Sequence, residues 1–234
     1  MTKSKTAAKN ADEFERLNSK RGEQMKYLGK PAGMWALFAG SFEKHLTVEF
    51  DLTAEQAKDV AVRAKKRYRE IIAKLPEFDK RDRFEMNIVN CAMLAAFILC
   101  MPQRPDIKTL TDYYAAAMMT PTMKAFCRAS GKKKFTPKDI EGMKATAKLR
   151  AGDRNPYSWN MDFFEYEDGS GYEARFTTCG ICTLMQVLGL YDLTPALCHL
   201  DYTMSDAGGA SDFVREYTLA SGGPYCDCGY HKKQ

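Results

Sequence analysis

Apolar residues in the first two thirds of the chain recur at helical spacing, and the pattern changes near Gly152. Residues 1–10 are polar and read as a disordered tail. Phe14, Leu17, Met25 and Leu28 mark a helix over 11–28, and Trp35, Leu37, Phe38 and Phe42 another over 33–47. Thr53 with Gln56 three residues on is the capping-box pattern, opening a helix that Pro76 stops after about Leu75. Residues 81–101 are apolar on almost every face beyond Phe84, as in a helix at the buried centre of a helical layer. The helix over 107–128 is expected to kink or break near Pro121. Thr136-Pro137 reads as an N-cap followed by proline at the first helical position, starting a helix that runs to about Gly152.

Beyond Gly152 the chain becomes aromatic and β-branched. YSWNMDFFEYEDGSGYEARFTTC predicts a hairpin of strands at about 157–167 and 172–178 around a glycine-containing turn. ICTLMQVLGL predicts a short helix ending near Gly189, and Thr194-Pro195 begins another that carries LCHLDYTM. FVREYTLA reads as a third strand and YCDCGYH as a fourth. The fold class is therefore α+β: a helical N-terminal layer, then a small antiparallel sheet with two short helices. The helical portion spans 11–152 and the α+β unit 153–234, expected to pack as one compact domain.

Charge changes this picture little. The net charge of +5 divides into +12 over residues 1–150 and −7 over 151–234. Basic residues in the first part alternate with acids on helical faces, as in AVRAKKRYREIIAK, which describes a solvated face rather than a nucleic-acid surface. Lys132–Lys134 is too short a run to argue otherwise. The start of the chain has no apolar leader, and the most apolar stretch, CAMLAAFILCM, falls well short of the roughly 20 residues that span a bilayer. The expectation is a cytoplasmic protein with a small-molecule substrate, no nucleic-acid or membrane partner, and self-association left open. In that compartment the eight cysteines would be reduced, serving packing, metal binding or catalysis.

Three cysteines, Cys91, Cys100 and Cys127, lie in helical segments and read as core residues. Five fall in the last third at element boundaries: Cys179, Cys182, Cys198, Cys226 and Cys228. Cys179 and Cys182 form CGIC at a strand-to-helix junction, where unpaired backbone N–H groups favour a thiolate. Cys198 and Asp201, three apart, share a helical face. Cys226 and Cys228 face one side of a strand and Asp227 the other. One reading is a metal site, zinc or iron–sulfur, drawing on Cys179, Cys182, Cys198, Cys226 and Cys228. A thioredoxin-like pair would need a parallel βαβ context that the pattern lacks. The third reading is a thiolate nucleophile with carboxylates that orient a cationic substrate, needing no cofactor. Arg215, on the presumptive third strand, is either a surface ion-pair partner or a clamp for a substrate carboxylate. His199 neighbours Cys198 but points elsewhere on its helix; His45 and His231 carry no further signal.

From Tyr172 to Tyr230 the order FTTCGIC, LGLYDLTPALCHLDY, FVREYTLASGG and YCDCGY resembles the L-2-amino-thiazoline-4-carboxylic acid hydrolase family, and NPYSW upstream is similar to the segment that leads into it. The resemblance implies a hydrolase acting on the C–N bonds of a cyclic amidine, a precursor of cysteine. By position it implies Cys179, Cys226, Asp201 and Asp227 as catalytic residues, with Arg215 and Cys198 binding substrate. Cys182 and Cys228 depart from the family pattern. The competing expectations are a zinc or iron–sulfur enzyme acting on another small substrate and a sensor without turnover.

Overall fold

The structure, a computed structural model, describes residues 31–233. The tail over 1–10 and the helix over 11–28 lie outside the described residues. Helices α1 (Pro31–Glu49), α2 (Ala54–Lys74), α3 (Glu85–Cys100), α4 (Ile107–Met118), α5 (Pro121–Gly131) and α6 (Pro137–Arg150) come first. Strands β1 (Asp162–Glu165) and β2 (Gly171–Phe176) follow, then α7 (Gly180–Val187), α8 (Thr194–Cys198), α9 (Leu200–Gly208), β3 (Ser211–Val214) and β4 (Cys226–Lys232). The architecture is α+β, as the sequence pattern implies.

Local signals set most helix ends. The Thr53 hydroxyl accepts from Gln56 N at 3.2 Å and the Gln56 side chain accepts from Thr53 N at 2.9 Å, completing the capping box. The expected kink or break at Pro121 is a break: Thr120 caps a new helix, accepting from Met123 N at 3.2 Å, with proline in its first turn. A proline lacking its N–H is tolerated there and nowhere deeper. Helix α3 occupies the centre of the layer, with every residue from Cys91 to Phe97 sealed from solvent. Cys91, Cys100 and Cys127 are buried, in keeping with packing roles. No helix among the described residues is long and apolar enough to cross a membrane.

The sheet runs β1-β2-β4-β3 and is antiparallel throughout. The last strand in sequence is thus an inner strand, paired with β2 on one side and β3 on the other. In register, Cys226 stands opposite Phe176, Asp227 opposite Arg175 and Cys228 opposite Ala174. The polar C-terminal segment is held by two ladders, and its alternation buries Cys226 and Cys228.

One expectation fails in detail. The predicted third strand over FVREYTLA stops at Val214, and Arg215 lies just beyond β3. The Asp227 carboxylate takes the N–H groups of Glu216 and Tyr217, at 2.8 and 2.6 Å, so a ladder cannot use them. The hairpin strands are also shorter than predicted, because residues 155–159 fold as a turn against the helices.

Candidate active site

The NPYSW segment and the start of α7 form the rigid floor of the site. Arg150 is buried at the end of α6. Its Nε donates to Trp159 O at 3.1 Å and its Nη2 to Ser158 Oγ at 2.9 Å. Nη2 also pairs with Asp82 at 3.3 Å and with Asp153. Ser158 Oγ donates to Asp82 Oδ2 at 2.5 Å, closing the cluster. The Thr183 hydroxyl in α7 donates to Pro156 O at 2.7 Å. Gly180 is dictated by this contact: a Cβ there would stand 2.0 Å from Tyr157 O. The glycine of CGIC lets the turn close onto the helix and brings Trp159 to Cys179.

Cys179 caps α7 from an extended conformation. The Cys182 thiol, the backbone N–H groups of Cys182 and Ile181, and the Trp159 indole lie close enough to its sulfur to favour the anion. These donors outweigh burial and lower the Cys179 pKa, the Cys182 thiol contributing most. Cys182 shifts the other way, raised by donating to Cys179 and by burial. Within the pair, Cys179 is the more acidic thiol and Cys182 the one that holds its proton more tightly.

The remaining thiols gather round this pair. Cys182 interacts electrostatically with Cys198 and Cys226, and Cys198 with Cys179 and Cys226. Burial raises the pKa of Cys198 and of Cys226, and pushes Cys228 up to about 12. Cys226 Sγ also accepts from Leu219 N at 3.2 Å. Of the five, only Cys179 has its pKa pushed down. Among the described residues, no three His, Cys, Asp or Glu side chains are grouped as a metal ion requires. The thiols are near one another without forming the ligand set of the zinc or iron–sulfur reading.

Arg215 and Asp201 form the charged side of the group. Arg215 Nη2 donates to Asp201 Oδ2 at 2.5 Å and to Cys228 Sγ at 2.8 Å, while Nη1 donates to Cys198 O at 3.0 Å. Burial works against the guanidinium, but Asp201 and Cys228 overcome it and its pKa rises. The guanidinium thus ties α8, α9 and β4 together. Asp227, on the opposite face of β4, spends both oxygens on Glu216 N and Tyr217 N and so fixes the segment that begins at Arg215.

Three residues near the site escape sequence reasoning. Trp159 ends the NPYSW segment without any sign of a role there, and only its packing against α7 shows that it faces Cys179. Tyr191 lies beside the Cys182 thiol and donates to Leu219 O at 2.9 Å. Lys134, in a run that reads as solvated, is half-buried against Tyr230. None of the three histidines joins the thiols: His45 faces Glu49, His199 packs at a tilt against Tyr202 and His231 stacks on Tyr166.

A cavity of about 310 Å³ begins where the thiol group ends. Asp201, Cys228 and Phe176 line it, while Cys179, Cys182, Cys198 and Cys226 do not. The space and the activated thiol are therefore neighbours across the Arg215–Asp201 pair, and chemistry, rather than size, points to Cys179.

The sequence model of the L-2-amino-thiazoline-4-carboxylic acid hydrolase family matches residues 86–230. The chain belongs to this family. The match reaches back through α3 to α6, so the helical layer is part of the family's pattern along with the cysteine-bearing third. No curated protein and no solved structure matches the chain.

Proposed function

We propose that the protein is a hydrolase that opens a cyclic amidine of the thiazoline type, with Cys179 as nucleophile. The observation that carries the reading is the thiol at the start of α7, whose pKa is lowered by the neighbouring Cys182 thiol, two backbone N–H groups and the Trp159 indole. Family membership supplies the reaction class.

The carbon between the ring sulfur and the two nitrogens is the electrophile. The Cys179 thiolate adds to it, forming a new carbon–sulfur bond. The adduct collapses by breaking the ring carbon–sulfur bond, because a thiolate, with a conjugate acid near pKa ~8.5, leaves more readily than nitrogen. The departing sulfur takes a proton from Cys182. Water then adds to the resulting isothiourea, and the Cys179–carbon bond breaks. The water oxygen ends in a urea, and its two protons restore the Cys182 thiol and complete the urea nitrogen. This refines the expected C–N cleavage: the ring bond that breaks is to sulfur, and the product carries a free thiol and a carbamoylated amine.

Asp201, Arg215 and Asp227 act here as positioning residues. Asp227 seats the Arg215 segment, and Arg215 holds Cys198 O, Asp201 and Cys228 around the thiol pair. Cys226 and Cys198 are shielding thiols, kept protonated by burial.

The test is turnover of 2-aminothiazoline-4-carboxylate, followed by product mass and by intact mass of rapidly quenched protein. Cys179→Ser is expected to lose at least about a thousandfold in rate, roughly 4 kcal/mol of barrier. Wild-type protein is expected to carry a transient adduct on Cys179. Near-normal turnover by Cys179→Ser would defeat the assignment. Ligand protection of Cys179 without any product would favour the sensor reading instead.

A further inference from the structure

The cavity enclosed by α5, α6, α9 and the inner face of β2 and β4 has a charge pattern that the hydrolysis does not use. Its two acids are already satisfied. Asp201 is held by Arg215, and Asp139 Oδ2 accepts from Tyr172 Oη at 3.1 Å and from Phe135 N at 2.8 Å. Its two cations are not. Lys134 Nζ has no carboxylate within ion-pair distance among the described residues and sits 3.3 Å from the Tyr230 ring centroid. Arg83 makes only long contacts, at 3.4 Å to Thr146 Oγ1 and 3.6 Å to Met143 Sδ. The other walls are aromatic rings, methionines and small hydroxyl residues. Gly131 and Gly208 bring α5 and α9 together at one end, where a Cβ on Gly131 would lie 2.3 Å from Gly208 O. A space of about 310 Å³ suits a small ligand with an apolar body.

We propose that this cavity is a binding site for a small carboxylate with an aromatic or sulfur-containing body, seated on Lys134 with Arg83 at the mouth. The excess of unpaired positive charge selects an anion, the aromatic and methionine lining selects its body, and the guanidinium suits a carboxylate geometrically. A half-buried ammonium held only by ring faces is incompletely solvated, which an anion corrects. In keeping with this, burial lowers the Lys134 pKa to about 8, against the opposing pull of Asp139 and Asp201. Arg83 and Cys228 are the other charged or titratable groups that act on it. The site needs none of Cys179, Cys182 or Cys226; it shares only Asp201 and Cys228 with the hydrolytic site, and both face it from the Arg215 side.

Calorimetry with benzoate and N-acetylmethionine, each paired with its uncharged carboxamide, tests the proposal on wild-type protein. The acids are expected to bind at least tenfold more tightly than the amides. At pH 8 binding should take up a fraction of a proton, read as heats that vary with the ionisation enthalpy of the buffer. Lys134→Gln should erase the preference for the acid, Lys134→Arg should keep most of it, and Cys179→Ser should leave it unchanged. Equal binding of acid and amide by wild-type protein, no binding of either acid, or an undiminished preference in a folded Lys134→Gln variant would each overturn it.

Discussion

Arg150 is the clearest place to perturb the scaffold behind Cys179. Its side chain is 2% exposed and that of its partner Asp82 is 1% exposed, so neither charge reaches water. Replacing Arg150 with Met keeps the stem's packing but leaves Asp82 buried with only Ser158 Oγ and a backbone N–H as donors. Removing one partner of a buried pair costs about 3–5 kcal/mol, because the remaining charge is uncompensated. For a chain of this size each kcal/mol is worth roughly 2–4 °C of melting temperature, so a fall of about 6–20 °C is expected. The double variant Arg150→Met, Asp82→Leu removes both charges and should recover a large part of the loss. Chemical denaturation of the four members of the cycle measures the coupling. The consequence reaches the site, because Arg150 Nε fixes the Trp159 carbonyl and Trp159 helps lower the Cys179 pKa. In the single variant Cys179 should alkylate more slowly at neutral pH even where the protein is fully folded. A loss below about 1 kcal/mol, or a double variant no better than the single, would refute the reasoning.

Other expectations follow from single contacts. Cys182→Ala removes the largest stabiliser of the Cys179 thiolate, so the midpoint of Cys179 alkylation against pH should move upward. Gly131→Ala drives a Cβ into Gly208 O at the α5–α9 contact and should destabilise by about 1–3 kcal/mol, measured by denaturant midpoint. Asp227→Ala frees the N–H groups of Glu216 and Tyr217, and hydrogen exchange should rise sharply at those two amides. Lys134 has its folded pKa depressed to about 8, so the folded protein binds fewer protons than the unfolded chain from there up to the unfolded value near ~10.4. Stability should rise with pH across that window in wild-type protein relative to Lys134→Met, which should be the more stable of the two at pH 7.

The helical layer was legible because its signals are local. Thr53 with Gln56, Thr136-Pro137 and the all-apolar run of α3 each specify an end or a burial state without reference to the rest of the chain. The pairing order of the sheet was not, since β4 reaches an inner position through contacts sixty residues apart in sequence, such as Gly171 with His231. FVREYTLA shows the limit most clearly. Its alternation is strand-like, but a carboxylate eleven residues away takes its N–H groups, and no pattern within the segment reports that. At the site, position along an element was readable, so Cys179 stood out at a helix start. Cys182 stood out with it in CGIC and Trp159 only as the end of NPYSW, but that both act on the Cys179 sulfur became visible only in the packing. Nothing in the short run Lys132–Lys134 singles out Lys134, because the Tyr230 ring that closes over it lies almost a hundred residues away in sequence.

The account stands or falls on the charge state of Cys179, and site-resolved alkylation measures it directly. Folded protein is treated with limiting iodoacetamide over a range of pH, and each cysteine is quantified by peptide mass spectrometry. Cys179 is expected to react first at neutral pH, with a midpoint below that of an ordinary thiol, while Cys198, Cys226 and Cys228 stay unreactive up to high pH. If Cys179 reacts no faster than those three, or titrates at or above the usual thiol value, the thiolate at the start of α7 does not exist and the proposed chemistry fails with it.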